Sequence, residues 1–485
     1  MEIRFSRLFD SRLNKLCALS WLVLAVVFTL EPLSSAVSVV GVTSIGLAVL
    51  LAITSPMRAT YLLPFFVLLG PIIIFRLPGI GSVNGGDIVS LALLFSITVI
   101  SKTKLTITLS PIFFIFIFLF LGSVIFSPEI GSAFVGFTKT AQFIILAWLT
   151  SQFIVTDQQR MYLLLSWVLA SSIGALMMLC FWLMLDNNFL VSWAAGVESV
   201  VTSESAVGIL FRPTYFYTNF GLPLALSSVF AAWMITSTAI NISRGLKFFL
   251  VFCLIIFMVC LALNNTRAYL LPAAFLVSAI LLMYLFKFFK VTTYSIILTV
   301  FLSSAFLYDF ESIDNETPSL QSALIERSIE TGPVEARLSV WSNAISVQAE
   351  NLFRFFLVGY GPQSTFRQDT DLMREMKTHS GGTEGSLDSA IMGFLADYGL
   401  ALTVLIICYV FWWMSGMAVS RDKTTREFCN LYVMLGLIVI FSSIFQQFGA
   451  NGAGLVALQL LGFRWGKGTF AVSGRMNNFN TGAIN

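Results

Sequence analysis

The chain has 485 residues, of which 57% are hydrophobic and only 11% are charged, and its mean hydropathy is +0.87. No soluble core can hide that much apolar surface, whereas a hydrocarbon layer of roughly 30 Å accepts helices of about 20 residues, so a soluble protein is excluded. The formal net charge of +3 follows from the placement of cations on alternate links and calls for no nucleic-acid partner.

Backbone polar groups in lipid must be satisfied within a helix or a closed barrel. Runs such as Pro111–Phe126 and Phe248–Leu263 lack the two-residue alternation of barrel strands. The expected fold is therefore an all-α polytopic membrane protein with about 14 transmembrane helices. The first span is expected near 16–33; it follows a basic start and lacks a small-x-small cleavage site, so it reads as a span and not as a removable signal. Further spans are expected near 37–54, 59–75, 88–101, 106–126, 133–155, 161–185, 214–238, 247–263, 268–286 and 293–308. These make a first membrane region over 1–308. One long polar stretch, 309–386, interrupts the pattern as a large helical loop. Spans near 389–418, 430–446 and 451–463 complete a second membrane region over 387–464, and a tail covers 465–485.

Basic residues orient the chain. Arg4, Arg7, Arg12, Lys15, Arg58, Lys102, Lys104, Arg160, Arg244, Lys247, Lys287, Lys290, Arg421 and Lys423 all fall on one set of alternate links. The positive-inside bias then puts both termini in the cytoplasm and the insert outside. Arg76, Lys139, Arg212 and Arg267 lie on the other face, each at or just inside a predicted helix end. Snorkelling to headgroups accounts for Arg76 and Lys139 as readily as a binding role does. Arg212 stands in Phe211-Arg212-Pro213 ahead of Tyr215, Phe216 and Tyr217, and Arg267 follows Asn264-Asn265-Thr266 at the mouth of a span. Two outward guanidinium groups at a membrane surface suit a diphosphate, because the planar fork holds phosphate oxygens bidentately.

Within the insert, Thr317-Pro318 opens a helix running to about Glu330, and Thr331-Gly332-Pro333 breaks it and starts another through Glu350. In the second helix Val334, Leu338, Trp341 and Ile345 share one face, which is expected to pack. Arg337 is next to that stripe and is placed to point toward the membrane surface. Leu357-Val358-Gly359-Tyr360-Gly361-Pro362 reads as a tight turn whose glycines allow positive φ or close backbone approach. A third helix is expected over Ser364–Lys377, then a gate-like run from Thr378 to Ser386 containing His379. Asp388, at the start of an apolar span, is either a helix cap or a general base at the membrane boundary.

The single histidine excludes multi-histidine metal sites, and the cysteines all avoid the insert. No P-loop or dinucleotide fingerprint occurs. Asp369-Thr370-Asp371 has a metal-binding form but reads as helix-surface charge. Neither a metal nor a cofactor is expected.

Several phrases in order resemble the bacterial O-antigen ligase and polymerase superfamily of the Wzy/WaaL type. They are Arg212 through Gly221-Leu222-Pro223, then Thr266-Arg267-Ala268, then Arg337-Leu338-Ser339-Val340-Trp341, then Gly359-Tyr360-Gly361. The last is Asp388-Ser389-Ala390-Ile391-Met392 ending in Asp397-Tyr398-Gly399-Leu400. The matches run from about residue 210 to 400, and the first 200 residues contribute only compatible spans.

The resemblance implies a glycosyltransferase of the bacterial inner membrane, acting on an undecaprenyl-diphosphate-linked oligosaccharide among membrane lipids, with a chain-length regulator as a possible partner. Arg212, Arg267 and Arg337 would hold the diphosphate. Tyr215, Trp341, Lys139 and Arg76 complete the implied substrate-binding set. Asp388, or His379 nine residues earlier, would be the base. Ligases of the family place a histidine where Asp388 stands, so the acidic residue resembles the polymerase branch. The alternatives are a ligase that moves finished glycan to lipid A core, and a lipid-linked glycan flippase. A transporter is disfavoured, because no internal repeat is evident and the span centres are nearly free of charge.

Overall fold

The computed structural model describes residues 11–30, 35–77, 81–96, 98, 111–131, 133, 134, 136–138, 157–183, 214–237, 242–264, 267–286, 332–362, 372, 374, 390–417, 431 and 433–438. Helices α1 (Arg12–Leu30), α2 (Ser35–Thr54) and α3 (Pro56–Leu69) are followed by strands β1 (Ile74–Leu77) and β2 (Gly81–Asn84). Then come α4 (Gly85–Phe95), α5 (Pro111–Ile125), α6 (Asp157–Leu183), α7 (Thr214–Thr236), α8 (Arg244–Asn264) and α9 (Arg267–Phe286). Helix α10 (Gly332–Ala349), a π turn (Arg354–Val358) and α11 (Ala390–Met417) lie further on.

The molecule is a membrane protein. Among the described residues, Arg12–Leu30, Ser35–Thr54, Gln158–Cys180, Arg244–Ala262 and Ile391–Cys408 are long and apolar enough to cross a bilayer. The spans expected near 293–308 and 451–463 lie outside the described residues, as do the tail and the first helix expected in the insert. Helix α1 shows how lipid shapes these elements. Cys17, Trp21, Leu24, Ala25 and Phe28 turn one stripe into the protein, while Leu16, Leu19, Val23, Val26 and Leu30 remain exposed on the rest of the cylinder. Such a helix is apolar all round because both of its surroundings are apolar.

The helices form two packing groups. One continuous core joins residues of α1, α2, α3, α4, α6, α7, α8 and α9. Small polar side chains tie it together: Ser227 Oγ donates to Ser171 Oγ at 2.9 Å, and Ser172 Oγ donates to Cys253 Sγ at 3.2 Å. Interhelical bonds of this kind are the usual glue where lipid gives no hydrophobic drive to association. The second group joins α5, α10, the π turn and α11 through two smaller cores. One holds Ala344, Val347, Tyr360, Leu372 and Ala396; the other holds Phe120, Tyr398 and Leu402.

One expectation needs correction. The span predicted near 59–75 ends as a helix at Leu69, and an antiparallel hairpin follows, pairing Ile74 with Asn84 and Arg76 with Ser82. The fold is helical apart from this hairpin among the described residues, not purely α. Gly70-Pro71-Ile72 tightens the end of the helix into a 3-10 turn, and the β-branched Ile73 and Ile74 then take the extended form. Asn84 closes the hairpin by capping α4: its side chain accepts from the Asp87 amide at 2.9 Å, while its own amide donates to Asp87 Oδ2 at 3.0 Å.

Candidate functional site where the insert meets the membrane helices

The insert is fastened to α11 by backbone hydrogen bonds as well as by packed side chains. Gly332-Pro333 opens α10 with proline at its first positions, where a missing amide costs nothing. Val340, Ala344, Val347 and Gln348 form its inward face, with Trp341 half-buried beside them. The stripe expected to pack is therefore corrected: Leu338 and Ile345 are exposed, and the buried face is rotated toward Ala344 and Gln348.

After α10 the chain enters the π turn, which closes with the Gly359 amide donating to the Arg354 carbonyl at 2.7 Å. Gly359 then adopts φ 65° and Gly361 φ 102°, a region open to glycine at little cost. Between them the Tyr360 amide donates to the Ala396 carbonyl at 2.8 Å, and the Gly361 amide to the Asp397 carbonyl at 2.9 Å. In an unbroken helix those two carbonyls would be taken by the amides of Leu400 and Ala401. Gly399, at φ 79° and ψ 171°, kinks α11 at that point and turns the ladder away. The turn of the insert thus occupies acceptors that the kink opens.

The fit is close on both sides. A Cβ on Gly359 would lie 2.5 Å from the Asp397 carbonyl carbon and oxygen, and one on Gly399 would lie 3.0 Å from the Val358 nitrogen. Ser127, just past α5, donates from Oγ to the Tyr360 carbonyl at 2.9 Å. The Arg354 guanidinium lies over the Tyr360 ring, 5.1 Å from its centroid. That stacking fixes the ring and directs the cation toward the junction. Phe120 and Phe394 flank Tyr398 at 5.3 Å and 5.4 Å between ring centroids, which locks α5 to α11 below the turn.

Two side chains of α10 carry buried polar atoms beside this junction. The Trp341 indole nitrogen has no hydrogen-bond partner, nor does either amide atom of Gln348. Gln348 is 1% exposed. Seven residues separate the two positions, so they share one face of the helix, two turns apart. Leaving such groups unsatisfied costs on the order of 1–3 kcal/mol each, a cost a polar ligand could relieve. Gln348 was not singled out from sequence. A glutamine two turns after the tryptophan of the Arg-x-x-x-Trp phrase was the available signal.

The structure places the predicted site residues unevenly. Trp341 is at the junction, and Arg337 lies one turn before it on the α10 backbone. Arg267 is the first residue of α9 and Tyr215 the second of α7. Helices α7, α8 and α9 are joined by short links, so consecutive ones run antiparallel and the starts of α7 and α9 lie at the same end. Arg76 is in strand β1, opposite Ser82, and not at a helix end as expected. Arg212, Lys139, His379 and Asp388 lie outside the described residues, as does Asp369-Thr370-Asp371. Asp388 precedes the first residue of α11 by two positions. Among the described residues no group of three or more histidine, cysteine, aspartate or glutamate side chains could hold a metal.

Residues 248–407 match the family model Wzy_C, described as O-antigen ligase. The matched segment runs from α8 through the insert to the middle of α11 and so contains the whole insert–α11 junction. Here the motif resemblance and the family match agree: this region is of the Wzy/WaaL-type superfamily. Arg267, Arg337, Trp341, His379 and Asp388 fall inside it, whereas Arg76, Lys139, Arg212 and Tyr215 precede it. No curated protein matches the chain.

Proposed function

We propose that the protein is a polymerase of O-antigen or a related surface polysaccharide, joining oligosaccharide repeat units carried on undecaprenyl diphosphate at the outer face of the inner membrane. The observation that carries this reading is the O-antigen ligase match over residues 248–407, centred on an insert docked to a membrane helix. In the reaction, a hydroxyl oxygen of the acceptor sugar attacks the anomeric carbon of the donor glycan. The bond from that carbon to the diphosphate oxygen breaks, and the diphosphate leaves with the electron pair. Asp388, or His379 in its place, takes the hydroxyl proton, a contribution of roughly 10²–10⁴-fold. Arg212, Arg267 and Arg337 neutralise charge building on the leaving diphosphate, where aimed cations in a partly dry site are the largest source of rate.

Trp341 and Gln348 supply polar atoms lacking partners on one face of α10, which suits sugar hydroxyls. Because the sugar–diphosphate bond stores the driving force, no nucleotide is needed. The regulator of chain length and the inner membrane belong to this same proposal.

A second reading is a ligase that transfers finished glycan to lipid A core, favoured by the matching family being one of O-antigen ligases. Glycolipid gels of a deletion strain separate the two. Loss of a polymerase leaves a single repeat on the core; loss of a ligase leaves bare core.

A further inference from the structure

The segment after α10 carries a surface that a water-exposed loop would not keep. It reads Leu352-Phe353-Arg354-Phe355-Phe356-Leu357-Val358, and Leu352 is 64% exposed, with Phe353 and Phe356 each 47% exposed. Its one cation is turned inward over Tyr360, so the outward surface is left apolar. Contiguous exposed apolar surface of this kind marks a contact with something apolar.

The neighbouring element says what that contact is. Helix α5 is uncharged along its length and exposes Ile115, Phe118, Leu121 and Ile125, a stripe that winds along one side toward the insert. In a membrane protein such a stripe faces acyl chains. Phe126, just past α5, meets Phe353 edge to face, with 5.3 Å between ring centroids. The lipid-facing stripe therefore continues from α5 onto the insert without a polar break at that ring pair. The backbone of 354–358 is suited to the position, since its π turn closes on itself and its next amides are taken by α11.

We infer that residues 352–357 are embedded in bilayer phospholipid, so that the insert is seated in the outer leaflet rather than standing wholly in water. The seating is independent of the reaction proposed above. Its consequence is positional: the Gly359–Gly361 turn and the inner face of α10 are held at headgroup depth, where aromatic residues gather.

The test uses the full-length protein in liposomes of phosphatidylethanolamine and phosphatidylglycerol, with a photoreactive benzophenone side chain introduced singly. The positions are Phe356→p-benzoylphenylalanine and, independently, Leu352→p-benzoylphenylalanine. Phe118 on α5 gives the lipid reference and Ser346, exposed on α10, the aqueous reference. Irradiation with labelled phospholipid should give adducts at 352 and 356 at the level of Phe118 and at least about five-fold above Ser346. Adducts at Phe118 with none above the Ser346 level at either insert position would overturn the inference. So would adducts at 352 and 356 that form only when polyprenyl diphosphate is added, since that lipid would then be the occupant.

Discussion

Gly359 faces the backbone of Asp397 so closely that a Cβ there would lie 2.5 Å from the carbonyl carbon, and its φ of 65° disfavours any other residue. The conformational part alone costs about 1–2 kcal/mol, and the overlap with backbone cannot be relieved by rotating a side chain. Gly359→Ala should therefore lower the thermal midpoint in detergent by several degrees and loosen the insert. Gly46→Ala, where nothing lies within 4 Å, should leave the midpoint nearly unchanged. A Gly359→Ala midpoint equal to wild type would contradict the close approach. Gln348 gives a sharper division between structure and function. If its amide only fills space, Gln348→Met should hold or raise stability, because an orphaned polar group is removed at similar volume. The glycan-contact reading expects that gain in stability together with a marked loss of polymer. Normal polymer length in the variant would remove Gln348 from the site.

The Gly359-Tyr360-Gly361 turn was legible because glycine spacing states a backbone need directly. The face of α10 was not. Leu338 and Ile345 are exposed while Gln348 is buried, so ranking positions by hydropathy chose the wrong side of the helix. Single exposed apolar side chains are common on a water-facing helix, so hydropathy alone does not mark the interior. The Ile72–Leu77 run misled for a related reason. An unbroken apolar stretch has no period, and in a membrane chain it is taken as more helix until Gly70-Pro71 is given its weight.

At the scale of elements, the kinked α11 and the insert form one interlock, with the insert's amides on carbonyls that Gly399 opens. Gly399→Ala disfavours the positive φ and favours a straight α11 that takes the Ala396 and Asp397 carbonyls back into its own ladder. The insert should then undock. Limited proteolysis of membrane vesicles should cut Gly399→Ala within 309–386 several-fold faster than wild type, with the membrane helices intact; an equal rate would show that the turn is held by something else. The Ser127–Tyr360 bond belongs to the same unit. It ties the link after α5 to the insert directly.

Across the whole molecule, the residues proposed for the site lie on elements of both packing groups. The starts of α7 and α9 bring Tyr215 and Arg267 to a common end, and α10 carries Arg337 and Trp341 beside the junction with α11. The apolar pattern made the membrane class plain, because five described helices are long and hydrophobic enough to span a bilayer without help from motifs. What it could not convey was how the insert is held, since that depends on backbone meeting backbone across residues far apart in the chain.

The most direct measurement is polymerisation by the purified protein in liposomes supplied with undecaprenyl-diphosphate-linked repeat units, with chelator present and no nucleotide sugar. A ladder of lengthened glycans is expected from the wild type, and Arg267→Ala should lower its rate by about 10²–10³-fold while the protein stays folded. No lengthened product from the wild type, or an undiminished ladder from Arg267→Ala, would contradict the account.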